Sequence, residues 1–512
     1  MLWKRCPVVV ASLGAALLVS SCAVGPDFEH PGAPEVSRYT KEPLATRTSS
    51  ADVRGGQAQR FINGRDIPGD WWNLFRSPAL DSLVQQSLHA NPTLQSAIAA
   101  VRVAQETTYA QQGKYFPLAQ ANFNPTRQQT ASTISPVLNN GTVGQRFDLY
   151  TAQVLVSYTF DVWGLNRRTV ESLQAQEDSQ RFLVEAAYLT LTSNVVIAAI
   201  QEASLRGQID ATNQLIDINT KMLELLRRQF TEGYANRNDV ALQEAQLAQV
   251  KTTLPPLRKA LAIQRDLLSA LAGRFPSQEP KETFTLAKVT LPTDLPVSLP
   301  LQLVEQRPDV RSAEQLLHSA SAQVGVATAN MLPNITVDAN GGYTAAALAG
   351  LIMPQNIFWL LAGNATQTVF DGFSLLHNRR AADAALDEAA WNYRSIVITA
   401  FQNVADALRA IQNDADALKA SYEFERASKV SLDLAQQQMQ SGNANFLYLL
   451  TAQITYQQAI LARVQAQAAR LSDTAALFLA LGGGWWNRDG PPPELKLDVV
   501  TAQVSPYPDV HH

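Results

Sequence analysis

One side chain in this sequence sits in a pattern that implies covalent chemistry at its own sulfur, and that is Cys22. It closes the stretch MLWKRCPVVVASLGAALLVSSC, where Lys4 and Arg5 precede an apolar run from about Pro7 to Val19 and small residues lead into the cysteine. Roughly 13 apolar residues are too few to cross a hydrocarbon layer of about 30 Å as a helix, so residues 1–21 are expected to be an export signal. The small residues before Cys22 resemble a bacterial lipobox, whose cysteine is diacylated and becomes the first residue of the mature chain. The alternative is an ordinary export signal in which Cys22 is incidental. The other cysteine, Cys6, lies inside the removed segment, so the mature chain keeps a single thiol and no disulfide is possible. Ala23 and Val24 follow with no Asp to retain the lipoprotein at an inner membrane, which favours sorting to the outer one.

No other residues assemble into chemistry. The six His, at 30, 89, 318, 377, 511 and 512, have no ligand spacing, so no metal is expected. Gly482-Gly483-Gly484 lacks the Lys-Ser/Thr of a phosphate loop and reads as a helix stop. There is no nucleophile–base arrangement and no paired catalytic carboxylates, so neither an enzyme nor a cofactor is expected. A net charge of −4 leaves no basic footprint for nucleic acid. Trp71-Trp72 and Trp485-Trp486 read as packing anchors. Asn-Arg-Arg at 166–168 and 378–380 reads as tunnel lining, lipid headgroup contact or plain surface charge.

The elements that would position such a chain come in two copies. SYTFDVWGLNRR, beginning at Ser157, is echoed by QTVFDGFSLLHNRR, beginning at Gln367. Asn91-Pro92 matches Arg307-Pro308, Tyr115-Phe116-Pro117 matches Met331-Leu332-Pro333, the Gly233 stretch matches the Gly442 stretch, and Ala270–Gly273 matches Ala480–Gly483. The offsets are all roughly 209 to 216 residues and keep one order, the signature of a duplicated unit. Each unit reads helix, strand pair, very long helix, tip, helix. Helices are predicted at about 79–115, 163–231 and 237–273, and again at 301–331, 373–440 and 446–482. The long ones would reach roughly 100 Å at 1.5 Å per residue. Ala211, Leu215, Ile218, Met222 and Leu225 keep a coiled-coil spacing that packs helix on helix.

The strands alternate. Tyr150, Ala152, Val154, Val156, Tyr158 and Phe160 share one face, opposite Thr151, Gln153, Leu155, Ser157 and Thr159; Ile335, Val337, Ala339, Gly341 and Tyr343 alternate with Thr336, Asp338 and Asn340. Ten steps of about 3.3 Å at a 45° tilt rise roughly 23 Å, close to the apolar band of an outer-membrane barrel. The first strand, about Leu118 to Asn124, is weaker. The fourth, about Ile357 to Phe370, alternates poorly, and Thr366 and Thr368 would face lipid if its register copied that of Phe160. Four strands cannot close a barrel, and an open edge inside a bilayer leaves backbone groups unpaired, so the chain must oligomerise. Two copies would fill the interior and three would leave a lumen; the polar face favours three.

These pieces resemble the outer-membrane efflux channels of the TolC type, in the lipoprotein branch typified by OprM and NodT. The resemblance rests on CAVGPDF, DWWNLF with Leu80, DVWG, LPVSLPLQLVEQRPDVRSAEQLL, the tip repeats and LALGGGWW, and it spans roughly residues 20 to 486. It implies a mixed α and transmembrane β-barrel fold. In a homotrimer, four strands from each protomer close a twelve-stranded barrel, continued by a long periplasmic α-helical barrel. The organisation expected is 1–21 signal peptide; 22–78 lipidated leader and part of an equatorial belt, irregular to about Asp66; 79–273 repeat 1, with strand pair 117–161 and tip 232–237. A linker at 274–300 leads to repeat 2 at 301–483, with strand pair 334–371 and tip 441–446, and 484–512 returns to the belt and tail.

The implied function is the exit duct of a tripartite efflux system. It passes drugs or other solutes from an inner-membrane pump of the resistance-nodulation-division class, through a periplasmic adaptor, to the exterior. The contrasting reading is a trimeric structural or adhesive lipoprotein that does not conduct. The site residues that go with the duct are Cys22 for lipid, Gly233 and Gly442 at adaptor-docking tips, and Tyr150, Val154, Tyr158, Phe160, Val337 and Tyr343 facing outer-membrane lipids. Family members often carry an acidic residue followed by Ala-Gln-Arg after the second tip; here Thr451 takes the acidic place and Ile454 the Arg place. Asp239 keeps an acidic position after the first tip, so Asp239 and Thr451 mark the expected periplasmic aperture. The competing role for Asp239 is a carboxylate favoured by the helix dipole.

Overall fold

Proline sets the first boundary that the sequence reading misses. The computed structural model describes residues 23–32, 34–129, 146–441, 443 and 446–488; the export signal, Cys22, Gly442 and the tail beyond Arg488 lie outside them. The helix expected over 79–115 is two helices, α1 (Pro78–Ala90) and α2 (Pro92–Gln112). A proline pushes the residue before it out of the helical region, and Asn91 is extended, with ψ 121°. Its side-chain oxygen accepts the N–H groups of Thr93 (2.9 Å) and Leu94 (3.2 Å), which caps α2.

A strand pair follows, β2 (Leu118–Gln129) and β3 (Arg146–Phe160), and then the helices α3 (Leu165–Thr231) and α4 (Arg237–Leu271). In the second copy the same break separates α5 (Pro300–Gln306) from α6 (Pro308–Ala329), with Arg307 extended at ψ 124°. Then come β5 (Asn334–Ala345), β6 (Ile357–Thr366), α7 (Ser374–Gln440) and α8 (Phe446–Ala480). The duplication is exact in length where it matters: α3 and α7 both have 67 residues, and α4 and α8 both have 35. The two Phe-Asp motifs share one purpose. Asp161 accepts the N–H groups of Asn166 and Arg167 at the start of α3, and Asp371 accepts that of Leu375 at the start of α7.

Two compact units divide the chain: Met1–Pro31 with Val101–Ser179 and Ala313–Tyr393, and Gly32–Ala100 with Gln180–Ser312 and Arg394–His512. The first holds an antiparallel sheet in the order β2-β3-β5-β6. The first strand runs to Gln129, longer than expected. The fourth stops at Thr366, and Thr366 pairs with Asn334 on the polar face. The register left open for this strand is thus not the one that copies Phe160 and turns Thr366 toward lipid, because the echo of Phe160, Phe370, lies past the end of the strand.

In the second unit, β1 (Arg60–Asn63) pairs in parallel with β4 (Asp294–Val297), so the leader is not irregular throughout its stretch to Asp66. An ion pair between Arg60 and Asp294 (2.7 Å) ties the ends of the pair. The aromatic anchors fill the core beside it: Trp71, Trp72 and Phe75 are fully buried, and Trp71 stacks on Phe478 at 5.3 Å. Each such side chain contributes about 1.5–3 kcal/mol of burial.

Candidate functional site: sheet faces and helix tips

Strand register decides what each face of the sheet can touch. Tyr150, Val154, Tyr158 and Phe160 of β3 lie on one face, and their β5 partners Ala345, Gly341, Val337 and Ile335 join them there. Tyr343, opposite Ala152, belongs to the same face. The outer strands extend it with Ala119, Ala121 and Phe123 of β2 and with Ile357, Trp359 and Leu361 of β6. Every expected lipid-facing residue thus falls on a single apolar surface. Phe123, Val154, Trp359 and Leu361 are exposed on it. Charge appears only at its far end, where Arg127 faces Asp148.

The opposite face carries Gln120, Asn122 and Asn124 of β2, Thr151, Gln153, Ser157 and Thr159 of β3, Thr336, Asp338 and Asn340 of β5, and Asn364 and Thr366 of β6. Polar side chains bond across strands there. Ser157 donates to Asp338 Oδ1 (2.5 Å), Asn364 donates to Asp338 Oδ2 (3.0 Å), and Thr151 meets Thr344 at 3.2 Å. The outer edges of β2 and β6 have no strand partner among the described residues.

The tips sit in the second unit, and one apolar cluster brings them together. Leu226, Leu432, Ala435, Phe446, Leu449 and Ala452 are buried in it, drawn from α3, α7 and α8, with Val240 and Leu242 of α4 packed alongside. At the first tip Gly233 has φ +82°, the left-handed region where a Cβ is strained. Its N–H donates to Phe230 O (3.1 Å), and that of Tyr234 donates to Gln229 O (2.7 Å), the paired bonds of a Schellman helix end. Nothing lies within 4 Å of where a Cβ on Gly233 would sit, so the turn presents open backbone to a neighbour. At the second tip the bond from Asn443 N–H to Gln438 O (2.8 Å) is the counterpart of Tyr234 to Gln229.

Asp239 is in the first turn of α4, where the amide of Asp239 is capped by Asn236 Oδ1 (2.9 Å) and its carboxylate complements the helix dipole. Thr451 is exposed, and its hydroxyl donates back to Leu447 O (2.9 Å). Both lie just past the tips, within a few turns of the shared cluster.

Gly482 is the helix stop that the sequence suggested: at φ +91° it donates to Leu479 O, while Gly483 donates to Phe478 O. Its counterpart in the first copy is Gly273, with φ +69° and the same bond pair to Ala270 and Ser269. The copies therefore align Gly273 with Gly482, one residue from the match expected with Gly483. Each glycine abuts the last residue of the helix that ends at a proline break, Gly273 against Ala90 and Gly482 against Gln306. Asn91 donates to Leu271 O (3.0 Å) and Arg307 to Ala480 O (3.0 Å), so each break holds the last residue of the returning helix.

Sequence reasoning missed three clusters that depend on distant partners. Arg470, 1% exposed, donates to Gly55 O (3.1 Å), Gln57 O (2.7 Å), Thr48 Oγ1 (3.0 Å) and Gln59 Oε1 (3.3 Å). Burial pushes its guanidinium down to about 10. Beside it, burial, together with the hydrogen bond and charge of Asp473, pushes Asp414 up to about 7. In the first unit, Arg168 binds Asp27 (2.6 Å) and Glu171 (2.8 Å), Phe28 stacks on His318 at 4.4 Å, and His30 meets Glu314 at 2.6 Å. The Asn-Arg-Arg of the first copy thus clasps the leader. Apart from Arg168 with Glu171, three residues apart on α3, nothing local in the sequence marks these pairs.

The chain is 29% identical to the pyoverdine export outer membrane protein OpmQ of Pseudomonas aeruginosa over 488 residues, 92% of this chain and 96% of that protein. The solved outer-membrane channel OprN superposes with a TM-score of 0.80 at 23% identity, covering 91% of this chain and 100% of that one. The Campylobacter jejuni CmeC outer membrane channel gives 0.81 at 20% identity, covering 92% and 96%. The fold is therefore TolC-like, with four strands per chain that close into a barrel only in a trimer. The family model for outer membrane efflux proteins matches residues 83–274 and 299–483, the two repeats. On these grounds the chain belongs to the outer membrane efflux protein family.

Proposed function

We propose that three copies of this chain form the outer-membrane exit duct of a tripartite efflux system, through which solutes pass from pump and adaptor to the exterior. The observation that carries the reading is the sheet itself. One face is apolar and aromatic, the other polar, and two edges are left to pair with other copies. Backbone groups in hydrocarbon need partners, so the edges β2 and β6 of neighbouring protomers pair and the polar face lines a lumen. On this reading Tyr150, Val154, Tyr158, Phe160, Val337 and Tyr343 face lipid.

Residues 1–21 are removed on export and Cys22 carries the lipid that anchors the leader, which the clasp around Arg168 then holds. The tips at Gly233 and Gly442 meet the adaptor, with Asp239 and Thr451 at the aperture behind them. The pump is of the proton-driven resistance-nodulation-division class. The equatorial belt is built by 45–78 and 274–300, as supported by the β1–β4 pair. Export in a cell lacking its own duct tests the whole: expression together with a matching adaptor and pump should lower dye or drug accumulation, and no change at normal surface abundance would defeat it.

A further inference from the structure

We propose that Asp338 is the charge-selectivity residue of the barrel lumen, a ring of three carboxylates in the trimer that favours cations over anions. The inference rests on the trimeric duct. Asp338 is the only ionisable residue on the polar face of β2, β3, β5 and β6; every other position on that face is neutral. The same face holds no Lys or Arg, so neighbouring copies built from the same strands bring no counter-charge to it. The carboxylate is fixed in place by two donors from two adjacent strands, Ser157 on β3 and Asn364 on β6. Each donor takes a different oxygen, and the residue stays partly open to the face it occupies.

The rest of that face is built from Gln, Asn, Thr, Ser, Gly and Ala with a few apolar residues, so no other fixed charge of the strands competes with it. Rings of Asp or Glu select cations in aqueous pores by raising their local concentration. A single ring in a wide lumen acts over the Debye length, about 8 Å in physiological salt and about 30 Å at 0.01 M. The preference should therefore be strong in dilute electrolyte and fade in concentrated electrolyte.

The test is the reversal potential of the reconstituted trimer in planar bilayers under a potassium chloride gradient, in dilute and in concentrated salt. D338N removes the charge and keeps one oxygen to accept from Asn364, while its amide N–H takes the place of the other oxygen and donates to the Ser157 hydroxyl, which accepts in turn; in dilute salt it should lower the potassium-to-chloride permeability ratio about twofold or more, with unitary conductance retained. D338K should carry the ratio further toward chloride. The differences should vanish in concentrated salt. If both variants conduct normally and keep the wild-type ratio in dilute salt, the proposal is wrong and selectivity is set elsewhere, with D239N showing whether the tip sets it. A wild-type trimer that does not conduct at all would instead overturn the duct reading on which the proposal stands.

Discussion

Asp414 on α7 and Asp473 on α8 are neighbouring acids beside the buried Arg470, and burial together with Asp473 favours the protonated form of Asp414. Burial is the main cause of the upward shift of Asp414, and Arg470 only partly opposes it. In the unfolded chain the same group returns to the ordinary aspartate range, near about 4. The folded chain thus holds a proton that the unfolded chain has lost between those values. The stabilisation it confers is complete below about pH 4 and is lost as pH rises through about 7. Asp414→Asn should therefore flatten the fall in melting temperature between pH 5 and 8 and melt above the wild type at pH 8. An unchanged slope would place the proton elsewhere.

Arg470 fills four acceptors of the segment 48–59, and no shorter side chain reaches them. Arg470→Met should cost about 3–5 kcal/mol, because buried carbonyls lose their donor and Asp414 loses its nearest positive charge. The measurement is thermal melting together with limited proteolysis, which should cut first within 48–59. Equal protease resistance would show that this segment is held by other contacts.

At the tips, a β-branched residue at Gly233 meets an unfavourable φ of +82° but no steric obstacle from other elements. Gly233→Val with Gly442→Val should leave the apolar cluster folded and the trimer abundant, yet abolish export in a complemented cell if the tips dock an adaptor as proposed. Wild-type export at wild-type abundance would reduce these glycines to helix stops.

The leader yields a chemical test. Cys22→Ser should eliminate incorporation of labelled fatty acid while leaving trimer in the outer membrane, since the barrel holds the bilayer independently. Label retained on the variant would refute the lipobox.

Assembly size can be measured directly. Detergent-solubilised protein, analysed by light scattering with the detergent contribution subtracted, should contain three chains. A stable monomer would contradict the shared barrel.

Much of this architecture was legible because it is periodic. The alternation from Tyr150 to Phe160 fixed which residues share a face, since a one-residue slip in a strand exchanges the faces entirely. The repeat located all four long and returning helices to within a few residues. The reading failed where local rules and long-range pairing disagree. Asn91-Pro92 and Arg307-Pro308 mark the repeat and also break a helix in each copy, and proline's restriction of its predecessor is sufficient to predict both breaks. The end of β6 is not legible from the repeat, because Phe370 copies Phe160 in sequence while the register is set by pairing to β5. The partners of Arg470 lie more than four hundred residues away in the chain, and no spacing announces them.

The unpaired edges of the sheet also set a problem of timing. Between synthesis and arrival in the membrane, a lone chain carries β2 and β6 as two long exposed hydrogen-bonding templates, the geometry that seeds wrong pairings between copies. Pro125, lacking an N–H, and Arg127 interrupt and charge the β2 edge, two devices that slow indiscriminate strand addition. Correct closure is a meeting of three chains and wrong pairing a meeting of any two, so both grow with concentration while only one is self-terminating. The yield of functional duct is then governed by how fast chains are supplied relative to how fast they meet in the membrane, and overproduction should lead to aggregates before it leads to more channels.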